Sequence, residues 1–141
     1  MKKITYLAIA ILIMSACAPT SSTLSVADAW ARSMPQGQNS AAYLVIENGT
    51  ASADTLLSVS TEIAETAEVH LSMLDTNGVM SMQMQEAVSI PARETVEFKP
   101  GGLHVMLINL KQDLKTGDTF TLTLNFKEAG TIVIEVPVQE P

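Results

Sequence analysis

The chain has 141 residues, with 15 acidic and 8 basic side chains, so its formal net charge at pH 7 is −7. This length suits a single domain. The excess of negative charge and the lack of an Arg-rich patch exclude nucleic acid as a partner, and they are compatible with cationic partners, metal ions included.

The first sixteen residues have the layout of a secretory signal peptide. Lys2 and Lys3 precede the apolar run from Ile4 to Met14, and small residues then lead to Cys17. The apolar run is short for a bilayer span, and this order of segments is typical of a cleaved export signal. Without the two lysines, six basic side chains remain against 15 acidic ones, a net charge of −9.

The segment around Cys17 resembles a bacterial lipobox, although Met14 stands where such boxes usually carry Leu. The resemblance implies that Cys17 is lipidated and anchors the mature protein to a membrane of the periplasm. Ala18, in place of an Asp, favours the outer membrane. The alternative is an ordinary signal peptide cut nearby, which leaves a free thiol. Because Cys17 is the only cysteine, a lipidated protein has no disulfide, thiolate ligand or cysteine nucleophile.

The remaining chain is dominated by short segments with β character. Residues 18–25 are small and polar and predict a tether, and "SVADAWAR" (25–32) is the best candidate for a short helix. Nine strand candidates with turn residues between them follow, which predicts an all-β sandwich or barrel. They are AAYLVIENGT (41–50), DTLLSVST (54–61), TAEVHLSM (66–73), GVMSMQM (78–84), AVSIPAR (87–93), TVEFKPGG (95–102), LHVMLINL (103–110), DTFTLTLNF (118–126) and GTIVIEVPV (130–138).

The segment from Asp75 to Gly78 predicts a hairpin turn. A three-residue loop ending at Gly78 would place that glycine in the left-handed conformation of a G1 bulge. His70 then faces Met84 across the strands and shares one face with Met80, Met82 and Met84. A two-residue turn at Asn77-Gly78 would shift the register by one residue and move His70 to the opposite face. We favour the three-residue loop.

A second group of the same kind lies in "LHVML" (103–107), where His104 and Met106 share one face of a strand. The chain has only two histidines, and both therefore lie beside methionines. Imidazole and thioether form a soft, neutral ligand set that suits Cu(I). Zinc ordinarily takes thiolates, carboxylates or three histidines, and a blue-copper site needs a thiolate.

Methionine also fills gaps in protein cores, so each of these residues has a structural interpretation. Five of the six methionines after Cys17 lie between Met73 and Met106, where a β core would more naturally use Val, Ile or Phe. Packing in the core or at its rim is the favoured role for Met73, Met80 and Met84, and auxiliary or entry ligands are the alternative. Trp30 is interpreted as a packing anchor, and Arg32 is given no chemical role.

The spacing of the histidines and methionines resembles the motif of the PCuAC periplasmic copper chaperones. That motif is His, an optional Met, ten residues, Met, twenty-one residues, then His-x-Met, and four residues at these separations are a specific signal. Here it corresponds to His70, Met82, His104 and Met106, with Leu71 in place of the optional Met. The resemblance covers Val26 to Val138 and includes "DAWAR", "PGGLHVMLINLK" and "TLTLNFKEAGTIVIEVPV".

The resemblance implies a cupredoxin-like Greek-key β-barrel or sandwich. It also implies that His70, Met82, His104 and Met106 hold Cu(I) for delivery to copper enzymes. The usual client in the family is the copper centre of cytochrome c oxidase, sometimes with Sco-type proteins as partners. We expect a monomer with a signal peptide (1–16), a lipidated cysteine and tether (17–25), a copper-binding domain (26–138) and a short tail (139–141).

The sequence leaves two alternative functions. A structural or adhesive β-sandwich lipoprotein without metal would have dispersed, buried His and Met side chains. A metal-dependent enzyme would need an open coordination position with an acid or base nearby, and the sequence shows no nucleophile–base constellation. We therefore expect a carrier and not an enzyme.

Overall fold

The structure is a computed structural model that describes residues 22–140, and its regular secondary structure in that range is entirely β-strand, as predicted. The predicted signal peptide and the lipidation site Cys17 lie outside the described residues. The strands are β1 (Leu24–Arg32), β2 (Ser40–Asn48), β3 (Asp54–Ser60), β4 (Ala64–Leu74), β5 (Met80–Met84), β6 (Val88–Ile90), β7 (Thr95–Phe98), β8 (Leu103–Leu110), β9 (Thr119–Phe126) and β10 (Thr131–Gln139).

The segment that was predicted as a short helix is strand β1, so that prediction is wrong. β1 pairs antiparallel with β2 and parallel with β10. Its register shifts between Ala27 and Trp30, where Asp28 has a φ of 51°, and such an irregularity hides the period-two alternation of a strand. Trp30 packs against Tyr43 of β2 with ring centroids 4.6 Å apart, as expected of an anchor.

The strands follow one hydrogen-bonded order, β5-β4-β8-β7-β2-β1-β10-β9-β3-β6, with an additional pairing of β8 with β2. Strands β1 and β10 extend slightly beyond the predicted domain, because Leu24 pairs with Asn48 and Gln139 pairs with Arg32. The apolar core draws on most of the strands, with Leu44, Phe98, Val105, Leu122 and Val136 among its buried members. Within residues 22–140 no helix has the length and hydrophobicity to span a bilayer.

Alternation along β4 and β8 separates the core from the outer face of the sheet. Val69 of β4 and Val105 of β8 are paired and buried. Because successive side chains of a strand point to opposite faces, His70 and His104 lie together on the outer face. The same alternation places Met106 on that face, while Leu107 enters the core.

The β4–β5 hairpin has the predicted three-residue loop. The Asp75 and Val79 backbones pair at 3.0 Å, and Gly78 has a φ of 81°, a conformation that costs glycine little. The Asp75 carboxylate accepts 2.8 Å hydrogen bonds from the backbone N–H groups of Asn77 and Val79. His70 faces Met84 and Ser72 faces Met82, so the predicted register is confirmed.

A buried carboxylate, Asp54, ties the start of β3 to the β9–β10 turn. It accepts hydrogen bonds from the backbone N–H groups of Thr55, Glu128 and Ala129 at 2.6, 2.9 and 2.8 Å. Burial acts to raise the pKa of Asp54, but these donors favour the ionised form, so the pKa lies below its usual 3.8.

We predict that Asp54→Asn lowers the free energy of unfolding at pH 7 by about 1.5–3 kcal/mol, since hydrogen bonds to a charged acceptor are lost. A folded-state pKa below the unfolded value stabilises the protein above pH 3.8, and this contribution disappears as the pH falls through the folded-state pKa. Urea unfolding at pH 7 and at a series of pH values falling well below 3.8 checks this. The exposed carboxylate variant Glu62→Gln is the control, and an Asp54→Asn deficit that persists at low pH would contradict the argument.

Candidate metal centre

The centre of the site is a pair of histidines on neighbouring strands. His70 of β4 lies directly opposite His104 of β8. The two imidazole centroids are 6.0 Å apart, and the ring planes are tilted by 42°. The rings are thus close enough for one ion between them to contact both.

The two predicted methionines lie beside this histidine pair. Met82 of β5, His104 and Met106 line one small pocket of about 150 Å³. Strands β4, β5 and β8 are adjacent in the sheet, so all four residues of the sequence motif come together at one place. His104 is only 5% exposed, whereas Met82 is 55% exposed. The site therefore has a fixed, buried side and an open side.

The hydrogen bond of His70 selects which ring nitrogen is free. Its Nε2 lies 2.9 Å from Oε2 of Glu68. An ionised carboxylate only accepts hydrogen bonds, so Nε2 carries the proton and donates it. The other nitrogen, Nδ1, is buried and has no hydrogen-bond partner among the described residues. Its lone pair is available to a metal ion.

His104 has the opposite arrangement. Its Nδ1 lies 3.1 Å from the carbonyl oxygen of Gly102, which can only accept, so Nδ1 donates and Nε2 keeps its lone pair. The same carbonyl accepts a 3.1 Å hydrogen bond from the backbone N–H of Ser72 on β4. Gly101 has a φ of 79°, so the turn before β8 needs a glycine to hold this carbonyl in place.

The pocket has a second wall that the sequence did not predict. It comes from the end of β1, the following connection and the start of β2, far from the motif in the chain. Nε of Arg32 is buried there without a hydrogen-bond partner among residues 22–140. The only sequence signal was the "DAWAR" similarity, to which no chemical role was given. The residues of this wall are Arg32, Met34, Asn39, Ser40 and Ala41.

The additional methionines do not lie in the core, one of the two packing positions favoured from the sequence. Met73, Met80 and Met84 are 42%, 61% and 49% exposed. None of them belongs to the buried cluster or to the side chains packed against it. The hairpin extends past the edge of the core, so core packing is wrong for these residues, and packing at the rim stays a prediction.

The donor atoms that converge are of an unusual kind for a metal site. In the described part of the chain, no group of three or more His, Cys, Asp or Glu side chains is arranged to hold a metal ion. The group on the outer face offers two imidazoles and two thioethers. These ligands are neutral and soft, and such a set favours Cu(I) over harder ions.

Fold and site together define a cupredoxin-like all-β domain with a His/Met cluster on the outer face of its sheet. The chain belongs to the LpqE-like family, whose model, described as "Putative lipoprotein LpqE-like", matches residues 24–138. The protein is 29% identical to the "Putative lipoprotein Lxx21020" of Leifsonia xyli over 83% of this chain and 70% of that one. It is 28% identical to the "Uncharacterized protein RP573" of Rickettsia prowazekii over 85% and 68% of the two chains.

Solved structures with the same fold include several PCuAC domains. The apo PCuAC domain from PmoF1 has a TM-score of 0.70 and 28% identity, covering 84% of this chain and 95% of that one. The Cu(I) form of DR1885 from Deinococcus radiodurans has a TM-score of 0.63 and 29% identity, covering 85% of this chain and 82% of that one. The copper-bound PCuAC domain from PmoF2 has a TM-score of 0.71 at 22% identity over 84% and 94%. The cupredoxin-like fold expected from the sequence is confirmed.

We predict that the two imidazoles are different tautomers in the metal-free protein. In the neutral imidazoles, His70 carries its proton on Nε2 and His104 on Nδ1, because their acceptors lie on those sides. The ¹⁵N chemical shifts of the ring nitrogens distinguish the two forms. In the Glu68→Gln variant, the preference of His70 for the Nε2-protonated tautomer should weaken, while the tautomer of His104 stays unchanged. Identical tautomers in the wild-type protein would contradict the assignment.

Proposed function

We propose that this protein is a non-catalytic Cu(I) carrier that takes up the ion on the outer face of its sheet and delivers it to copper enzymes. One observation carries the proposal. His70 and His104 face each other across β4 and β8, next to a pocket that Met82 and Met106 line with His104. The unpartnered Nδ1 of His70, the His104 imidazole and two thioethers then lie close together on the outer face.

Each proposed ligand has a distinct role. Nδ1 of His70 and Nε2 of His104 supply the nitrogen donors, and their other nitrogens are held by Glu68 and by the Gly102 carbonyl. Such outer partners fix ring orientation at metal sites. Met82 and Met106 supply sulfur, which binds without losing a proton. None of the four donors adds negative charge, which favours Cu(I) over Cu(II).

The uneven exposure of the ligands supports transfer over permanent storage. His104 is nearly buried and lies on a strand within the sheet, whereas Met82 is exposed on edge strand β5. An acceptor can approach from the Met82 side and offer its own ligand before the histidines release the ion. Cu(I) then remains coordinated throughout the exchange, with one bond formed as another breaks.

Two of the similar structures support copper as the cargo. The protein is 28% identical to a domain described as an apo PCuAC domain and 29% identical to one described as CuI-DR1885. The motif His70, Met82, His104 and Met106 has the spacing of the PCuAC motif. We extend Cu(I) binding to this chain on both grounds, together with the donor set.

The cellular setting is also part of the proposal. Lipidation of Cys17 would anchor the carrier in the periplasm, with the outer membrane favoured, and the family is named for lipoproteins. The proposed clients are cytochrome c oxidase during assembly of its copper centre and Sco-type proteins. Residues 22–140 would then act as a monomeric domain held near the membrane by a short tether.

The side-chain arrangement does not favour a structural lipoprotein without metal. That function predicts dispersed and buried His and Met side chains. Instead, the imidazole centroids are 6.0 Å apart, and Met80, Met82 and Met84 are exposed. Exposing three large apolar side chains on one strand serves no packing purpose.

We predict that the double variant His104→Asn/Met106→Leu lowers Cu(I) affinity by at least about 100-fold, because loss of one outer-shell partner alone typically costs 10–100-fold. Competition with a chromophoric Cu(I) chelator under anaerobic conditions measures this. Met34→Leu is the matched control, since Met34 lines the same pocket but packs against the core. Unchanged affinity in a folded double variant would refute the site.

X-ray absorption of the protein with one equivalent of Cu(I) should show a mixed shell of nitrogen and sulfur donors. The Met106→Leu variant should lose part of its sulfur scattering, because Met82 still supplies one sulfur, and should keep its nitrogen scattering. A shell of oxygen donors, or one without sulfur, would contradict the proposed ligand set.

A further inference from the structure

Three methionines form a row along the outer face of edge strand β5. Met80, Met82 and Met84 are two residues apart, so their side chains point to the same face. Consecutive members are separated by about 6.6 Å along the strand. Across the hairpin they lie opposite Leu74, Ser72 and His70 in that order, so the row runs from the hairpin tip to the histidine pair.

The row is directly continuous with the proposed copper site. Met84, His70 and His104 lie in register across β5, β4 and β8. Directly opposite residues in an antiparallel pair have Cβ atoms about 4.5–5.5 Å apart, so Met84 is at least as close to His70 as Met82 is. Met82 itself lines the pocket with His104. The Met84 thioether is thus one ligand exchange away from the site, and Met80 reaches it through Met82.

Burial does not explain the row. The exposed fractions of Met80, Met82 and Met84 range from 49% to 61%, and all five residues of β5 are exposed. Exposed large apolar side chains that cluster in this way usually mark a functional surface. Thioether sulfur is a weak, neutral donor that exchanges easily, which suits transient contact with a soft monovalent ion.

We propose that Met80, Met82 and Met84 form a thioether ladder, in which Met80 and Met84 offer weaker binding positions for Cu(I) or Ag(I) on either side of the site ligand Met82. The ion passes along it between the hairpin tip and the His70/His104 site. This inference rests on the proposed function and deepens it by assigning the route of entry and exit. Cu(I) keeps its oxidation state at every step, and each new Cu–S bond replaces the previous one.

The ladder is tested with the double variant Met80→Leu/Met84→Leu, in which the side chains stay apolar and similar in size but lose sulfur. Met73→Leu is the matched control, because Met73 lies on the same hairpin, is 42% exposed and faces the other side of the sheet, opposite Ser81. Neither change removes a ligand of the histidine site.

Two measurements decide the question. In wild-type protein titrated with Ag(I), the first equivalent should shift the methyl signals of Met82 and Met106, and the second should shift those of Met80 and Met84 but not Met73. Stopped-flow transfer of Cu(I) from a chelator complex should be about tenfold slower in the double variant, as one lost stabilising contact in the transition state would produce. The equilibrium affinity should change less than the rate, and Met73→Leu should match wild type in both.

The outcomes separate the ladder from the carrier function. The ladder alone would be overturned if the first equivalent binds tightly but the second leaves the methyl signals of Met80 and Met84 unshifted. A wild-type transfer rate in the double variant would have the same consequence. Failure of the first equivalent to bind at His70 and His104 would overturn the carrier function and the ladder together. A slowed transfer in Met73→Leu equal to that of the double variant would also overturn the ladder, since the effect would then not depend on the face of the hairpin.

Discussion

The register between β4 and β8 is the constraint on which the site depends. The buried pair Val69–Val105 lies next to the outward pair His70–His104. A slip of one residue in either strand would expose valine to water and turn an imidazole into the apolar core, so core packing itself holds the rings opposite each other. The hydrophobic effect thus sets the geometry of polar groups that contribute nothing to the core.

The site combines a rigid half with a loosely held half. His104 is fixed by the Gly102 carbonyl, which also accepts from Ser72 of the neighbouring strand. Glu68 orients His70 from two residues away on the same strand. Met82, by contrast, sits on an edge strand that pairs on one side only. Preorganised imidazoles can hold a soft ion while another molecule still reaches it, because displacing the Met82 thioether costs little free energy.

Most of the fold and of the site could be predicted, because their signals are local in the sequence. Gly78 after an Asp-x-Asn segment specifies the hairpin loop, and the loop sets the partners of His70. Strand β1 was mispredicted because the irregularity near Asp28 breaks its alternation and because its partners, β2 and β10, lie elsewhere in the chain. Arg32 was missed as a pocket residue for the same reason. No feature of the neighbouring sequence indicates that it lines a pocket together with His104.

The parallel pairing of β1 with β10 determines when this architecture can be completed. Ala31 pairs with Val138, 107 positions later in the chain, and contacts between such distant segments form late because a very large loop must close first. Arg32, the next residue, pairs with Gln139 and lines the pocket. A nascent polypeptide that still lacks β10 holds Arg32 through β2 alone, without its pairing to Gln139. This wall of the pocket therefore gains its last backbone partner only after synthesis has passed Gln139.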